Sequence, residues 1–181
     1  MDTVIDRIWT VDRFLAWEDR QEGKHEFDGR TTIPMTGGSI AHQRIVVDLM
    51  IALLRLLGPS GWEPVQEMRV RCGDAVRYPD IAVCAGGLDQ GTRTLTDAMT
   101  IFEVLSPDTA IIDRTVKPAE YAVLPSLRSY VLLEQTAMAA TLFQRALGGD
   151  WVVSTHTDGV LALPGLGIDL PLAEVYRRVR F

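Results

Sequence analysis

Residues 78–107 read YPDIAVCAGGLDQGTRTLTDAMTIFEVLSP, and this stretch decides the fold. It holds two apolar runs, Ile-Ala-Val-Cys-Ala and Met-Thr-Ile-Phe-Glu-Val-Leu, of strand length and rich in β-branched residues. The second is nearly continuous, as expected of a strand buried at the centre of a sheet. Gly86-Gly87 opens a polar loop that lasts to about Ala98, and Ser106-Pro107 ends the second run. Each run carries one acid. Asp80 follows a proline at the head of the first, and Glu103 lies inside the second. A carboxylate in an apolar strand costs roughly several kcal/mol if buried alone, so Glu103 requires a partner or a metal. The separation, 103 − 80 = 23 residues, fits two neighbouring strands joined by the loop.

Upstream, WEPVQEMRVRC at 62–72 alternates Val65, Glu67, Arg69 and Arg71 against Gln66, Met68, Val70 and Cys72. This predicts one strand, turned by Gly73-Asp74 into the run that reaches Asp80. Before it, Ser39 is a good N-cap for IAHQRIVVDLMIALLRLL, which Gly58-Pro59 stops. That helix is apolar over much of its circumference, so it is expected to lie on a sheet with little face left for water. Downstream, residues from about Thr109 to Val123 read as helix, with Pro118 limiting where its first turn begins. Leu124-Pro125-Ser126 connects to the strand RSYVLLEQ. The order from residue 39 to 135 is therefore helix, strand, strand, strand, helix, strand.

Outside this core, Thr10 precedes an amphipathic helix over 11–21, and Asp28-Gly29 turns a hairpin between KHEF and RTTIPMT. Gly148-Gly149 turns another between AATLFQRA and WVVSTHT, and a short helix is expected near LAEVYRR. No repeat or linker interrupts the chain. The expectation is a single domain over residues 1–181, of mixed α/β class with a mixed sheet.

Bulk properties narrow the function. With 47% hydrophobic and 23% charged residues, the 181-residue chain has ordinary globular composition. No apolar run approaches the roughly 20 residues of a membrane span. The opening MDTVIDRIWTVD carries acids where a signal peptide has a basic end, so a cytoplasmic protein with no membrane partner is expected. Cys72 and Cys84 are too few for a disulfide scaffold and read as small buried hydrophobes. A net charge of −6 argues against coating nucleic acid through a broad basic surface. It remains compatible with a nuclease whose basic contacts are confined to one cleft. Of 18 basic residues only Lys24 and Lys117 are lysines.

Cutting a phosphodiester requires activated water, charge neutralisation at phosphorus and a stabilised leaving oxygen. Mg²⁺ held by one or two carboxylates serves all three. Asp80 and Glu103 are the candidate ligands; the plain alternative is that each is a strand acid paired with an arginine, Arg77 being near Asp80. Lys117 supplies a compact charge where guanidinium would not serve, unless it is a solvated helix-surface lysine. Tyr121, one turn on, shares its helix face. By itself Glu26 reads as a solvated hairpin acid and Ser39 as a cap, while His42 reads either as a hydrogen-bonded core residue or, with Tyr121, as support for the site. Arg69, Arg71 and Arg77 lie near the turn leading to Asp80 and are expected to contact nucleic acid.

Tyr-Pro-Asp at 78–80, Phe-Glu-Val-Leu-Ser-Pro at 102–107, Asp113, Lys117, Tyr121 and Leu-Pro-Ser-Leu-Arg at 124–128 resemble the Uma-two family. The likeness extends to Glu26-Phe27-Asp28-Gly29, to Gly37-Gly38-Ser39 with His42, and to Leu-Pro-Gly-Leu-Gly at 163–167. These small bacterial proteins are classed with restriction endonucleases of the PD-(D/E)XK nuclease fold. The resemblance implies that Pro79-Asp80 is the PD and Glu103 the acid that follows it. Leu105 stands where the fold's lysine would, and Lys117 matches the lysine that this family carries on the following helix. Glu26 matches the family's N-terminal acid. The implied protein is an endonuclease dependent on Mg²⁺ (or Mn²⁺) and acting on DNA, with a homodimer compatible. Asp80 and Glu103 would bind metal, Glu26 would assist through metal or water, and Lys117 would orient the nucleophile. Two alternatives stand beside it: a catalytically inactive nucleic-acid or protein-binding module, and an antitoxin-like regulatory partner.

Overall fold

The computed structural model describes residues 9–181. Of the opening read above against a signal peptide, residues 1–8 lie outside the described ones. Thr10 accepts the Arg13 amide and starts α1 (Val11–Glu18). The hairpin β1 (His25–Phe27) and β2 (Thr32–Pro34) closes over Asp28, whose carboxylate takes the amides of Arg30 and Thr31 at 2.8 and 2.6 Å. Ser39 caps α2 (Ile40–Leu57) through the His42 amide, and Gly58 ends it. There follow β3 (Trp62–Gln66), β4 (Arg69–Cys72), β5 (Ala75–Arg77), β6 (Ile81–Ala85), β7 (Thr94–Leu95) and β8 (Thr100–Val104). Helices α3 (Ala110–Thr115) and α4 (Lys117–Ala122) lead to β9 (Ser129–Leu133) and the hairpin β10 (Ala140–Arg145) with β11 (Trp151–His156). The chain closes with β12 (Val160–Leu163), β13 (Ile168–Pro171) and α5 (Leu172–Val175).

The expected core order is present, but the strand foreseen over 62–72 is two strands in two sheets. Glu67 adopts a left-handed backbone, φ 47°, a conformation unfavourable to a residue with Cβ, and separates β3 from β4. Across the hairpin, Tyr78-Pro79-Asp80 separates β5 from β6, where proline has no amide to donate. The Glu67 amide donates to the Asp80 carbonyl at 3.1 Å and so joins the two breaks. The near halves, β3 and β6, belong to a six-stranded sheet ordered β11-β10-β9-β8-β6-β3. The far halves, β4 and β5, belong to a five-stranded sheet ordered β2-β1-β5-β4-β7. One hairpin thus bridges two sheets, and Asp80 stands at the bend.

In the larger sheet β8 and β9 run parallel, joined by α3 and α4, while β6 and β8 run antiparallel. On one face α2 sets Ile45, Leu49 and Leu53 against Ile81, Val83, Phe102, Val104 and Val131. On the other, Tyr121, Leu124 and Leu127 pack with Ala82, Ile101, Tyr130 and Leu132. The expectation that α2 would leave little face to water is corrected: Ile40, Val47, Ile51 and Leu54 are exposed. The sheet covers one side and α5 with β13 a second, so a third side of the cylinder remains open. The helix foreseen over 109–123 breaks at Val116, with Pro118 in the first turn of α4. The hairpin of β12 and β13 was not foreseen; its Leu161, Leu163 and Leu170 alternate inward. Among the described residues no helix is long and apolar enough to cross a membrane.

Candidate active site

The ladder between β6 and β8 pairs Ile81 with Phe102, Ala82 with Ile101 and Val83 with Thr100. Extended by one step, this register sets Asp80 opposite Glu103. Directly opposed residues of an antiparallel pair hold their Cβ atoms about 4.5–5.5 Å apart on one face. The Val104 amide donates to Asp80 Oδ2 at 2.6 Å, which ties the first acid to the strand carrying the second. Both line a cleft of about 340 Å³ together with Glu26, His42, Glu67 and Lys117. Its walls are the segment 33–39 after β1 and the loop 106–109 after β8. The two acids therefore meet in one place, as the sequence led us to expect.

Lys117 is in the site and not on the surface. The first turn of α4 delivers it beneath β8, where it is 4% exposed. Its ammonium lies 2.7 Å from Glu103 Oε1, 2.8 Å from Asp113 Oδ1 and 3.6 Å from Glu26 Oε1. Burial disfavours the charge, but Glu103, Glu26 and Asp113 outweigh it and hold the ammonium well above lysine's ordinary pKa. Tyr121 donates to the same Glu103 oxygen at 3.0 Å, so it braces the acid and not, as the helical spacing implied, the lysine.

Glu103 itself is 5% exposed. Burial, together with Asp113, Asp80 and Glu26, pushes its carboxyl up to about 8 against the pull of Lys117. Four carboxylates (Glu26, Glu103, Asp113 and Glu120) are linked here to two cations, Arg77 and Lys117, and Asp80 lines the same cleft without a permanent cation against it. His42 stands at the rim, with Nε2 3.2 Å from Asp80 Oδ1. Burial opposes a proton on that ring and Asp80 favours it, with the balance above histidine's ordinary value.

This excess of negative charge and these hard oxygen donors suit a divalent cation. Among the described residues no three His, Cys, Asp or Glu side chains converge into a ready-made cage. A hard divalent cation of this kind takes one or two protein carboxylates and fills its other positions with water and phosphate oxygens. Asp80 and Glu103 are the residues that could hold it. Glu26 is also bound within the chain, and by a permanent cation: Oε2 accepts from Arg77 at 2.9 Å and Oε1 from the Tyr78 amide at 3.1 Å.

The arginines require correction. Arg77 is 1% exposed and grips Glu120 with two hydrogen bonds of 2.7 Å besides the one to Glu26. Arg69 and Arg71 share a face of β4 as alternation foretold, but α1 covers that face. Arg69 is buried against Glu18 and Asp19 at 2.5 and 2.8 Å, and half-exposed Arg71 meets Asp12 at 3.0 Å. Buried guanidinium requires in-chain acids, and these arginines have found them, so Arg69 and Arg77 present no free charge to a phosphate. Sequence reading gave no role to Asp113, Glu120 or Gln135. Asp113 did carry a signal, lying four residues before Lys117 on the same helix face. Glu120 and Gln135 carried none that spacing could reveal.

The fold and the acidic cleft place the protein among the restriction-endonuclease-like folds. A crystal structure from Anabaena variabilis, described as "a putative nuclease belonging to DUF820", shares this fold with a TM-score of 0.75. At 17% identity it covers 93% of this chain and 98% of that one. The chain belongs to the Uma2 family, described as "Putative restriction endonuclease", which matches residues 11–173. Two uncharacterized proteins of Synechocystis sp. are similar throughout. One is 29% identical over 175 residues, 94% of this chain and 92% of the relative. The other is 28% identical over 154 residues, 82% and 87% respectively.

Proposed function

We propose that this chain is a Mg²⁺-dependent endonuclease, with Mn²⁺ able to substitute, that hydrolyses DNA phosphodiester bonds. The observation that carries the reading is the placing of Asp80 and Glu103 opposite one another in one cleft with Lys117 buried against Glu103. Bound there, the cation supplies Lewis acidity toward phosphate and water. The chain's own residues do the rest. Asp80 and Glu103 face the scissile phosphate from adjacent strand ends. Lys117 stays a cation at neutral pH and does not remove a proton; with two of its three N–H bonds given to Glu103 and Asp113, the third is the one it donates to the attacking water. Asp113 and Glu26 fix that ammonium, and Tyr121 fixes the Glu103 oxygen it shares. Leu105, at the position of the fold's usual lysine, is buried among the core residues, and among the described residues Lys117 is the lysine that lines the cleft.

Nicking of supercoiled plasmid tests the reading. Cleavage is expected with Mg²⁺ or Mn²⁺, to stop with chelator, and to be lost in Asp80→Asn. Metal-independent nicking, or full activity in Asp80→Asn, would overturn it. One observation favours a second reading, a module that binds without cutting: Arg55, Arg69, Arg71, Arg77 and Arg178 are all tied to acids of the same chain. Undiminished binding to a partner, with no cleavage under any divalent ion, would select it.

A further inference from the structure

We propose that His42 is a positioning residue for Asp80, and that position 38 is glycine because a side chain there would displace the imidazole. The inference rests on the metal-dependent reading above and adds to it the device that aims one of its two acids. Both Asp80 oxygens are engaged, by donors from different elements. Oδ1 lies 3.2 Å from His42 Nε2, on the first turn of α2, and Oδ2 takes the Val104 amide at 2.6 Å, at the end of β8. The carboxylate is clamped between helix and strand.

The ring has little room to turn. A Cβ built on Gly38 would stand 2.7 Å from His42 Nδ1 and 2.8 Å from Cγ, closer than carbon tolerates. Gly38 therefore lies directly against the imidazole. Nδ1 is buried with no hydrogen-bond partner among the described residues. A proton there would be buried unsatisfied, so the neutral ring places its proton on Nε2, facing Asp80. The turn that carries the ring is tied to the strand ends that carry the acids. Ser39 Oγ accepts the His42 amide at 3.1 Å and donates to Gln135 Oε1 at 2.5 Å. Gln135 Nε2 then donates to the Leu105 carbonyl at 2.5 Å, two residues beyond Glu103. An ordinary core histidine would also be buried and hydrogen-bonded. What sets this one apart is that its bond goes to a candidate ligand, inside the cleft, from a ring pinned by a glycine.

Partners that orient a metal-binding carboxylate typically contribute about 10–100-fold to metal affinity. Mn²⁺ alone, titrated calorimetrically into the full chain without nucleic acid, reads this directly. Wild type is expected to bind and Asp80→Asn to fail. His42→Ala should bind about 10–100-fold more weakly. His42→Gln, whose amide N–H reaches near the Nε2 position, should recover most of the loss, and Gly38→Ala should fall with His42→Ala. Melting temperatures of the metal-free proteins separate positioning from plain packing. A lower melting temperature in His42→Ala with unchanged Mn²⁺ affinity overturns the inference and leaves the metal-dependent reading standing. Wild type that binds no Mn²⁺ removes both.

Discussion

Strand β8 turns Phe102 and Val104 to one side of the six-stranded sheet and Ile101 and Glu103 to the other, and the two sides differ in kind. Toward α2 the contact is hydrocarbon throughout, Ile45, Leu49 and Leu53 filling the layer over Phe102. Toward α4 the same apolar packing begins at Ile101 and Tyr130, then gives way near the strand end to Glu103, Lys117, Tyr121 and Asp113. A strand's period of two makes this division possible within five residues. The dry side holds the molecule together by area and fit. The charged side is held by mutual compensation, in which no member can be removed alone.

The sharpest break in that contrast is Lys117→Ala. It strips compensation from two buried acids, Glu103 and Asp113, and from the partly buried Glu26, and should destabilise the metal-free protein by about 3–5 kcal/mol. Cleavage by the protein that remains folded should fall by about 10²–10³, as on loss of one hydrogen-bond donor to the reacting centre. Urea unfolding and plasmid nicking, run in parallel, check both. Added Mg²⁺ should return part of the lost stability, because a cation again faces the acids. On the dry side, Phe102→Ala should cost a similar 3–5 kcal/mol through the cavity it leaves. Its nicking rate per folded molecule should nevertheless match wild type. Equal losses of activity in the two variants would mean that the two sides are not separable.

A smaller effect comes from pH. Glu103 is raised from 4.5 to about 8 by burial and its acidic neighbours. Between these values the folded protein keeps a proton that the unfolded chain releases, so the metal-free protein should lose stability as pH climbs from about 4.5 to about 8. Glu103→Gln cannot titrate, and its melting temperature should be flatter across that window. The smallest effect is expected at the periphery. Arg71→Ala breaks one exposed pair with Asp12 and should shift stability by less than about 0.5 kcal/mol. The salt dependence of DNA binding should not change with it; a flatter slope would restore Arg71 to the nucleic-acid surface.

Much of this was legible in residue order. Ser39 and Gly58 bound α2 because capping is local chemistry, and the pairing of Asp80 with Glu103 followed from two short apolar runs with a loop between them. What spacing could not carry was partnership at a distance. Arg77 looked like a phosphate contact because its partner, Glu120, lies 43 residues away on another element. Beyond its match to the family's helix lysine, Lys117 carried the weak signal of being rare, and its burial depends on how α4 docks under β8. The split of 62–72 escaped because Glu67 has no local preference for a left-handed backbone; the bend is imposed by pairing across the hairpin, not by the residue.

That bend makes length changes unequal along the hairpin. Its tip, where Gly73 turns with φ 62°, lies on the far side of the break from Asp80. Residues added in pairs at the tip extend β4 and β5 and leave the acid where it is. A single residue inserted beside Glu67 would slip β3 against β6 and turn one strand's inward set outward. Insertions and deletions that arise as copies of this protein diverge are therefore absorbed at Gly73 and rejected at Glu67.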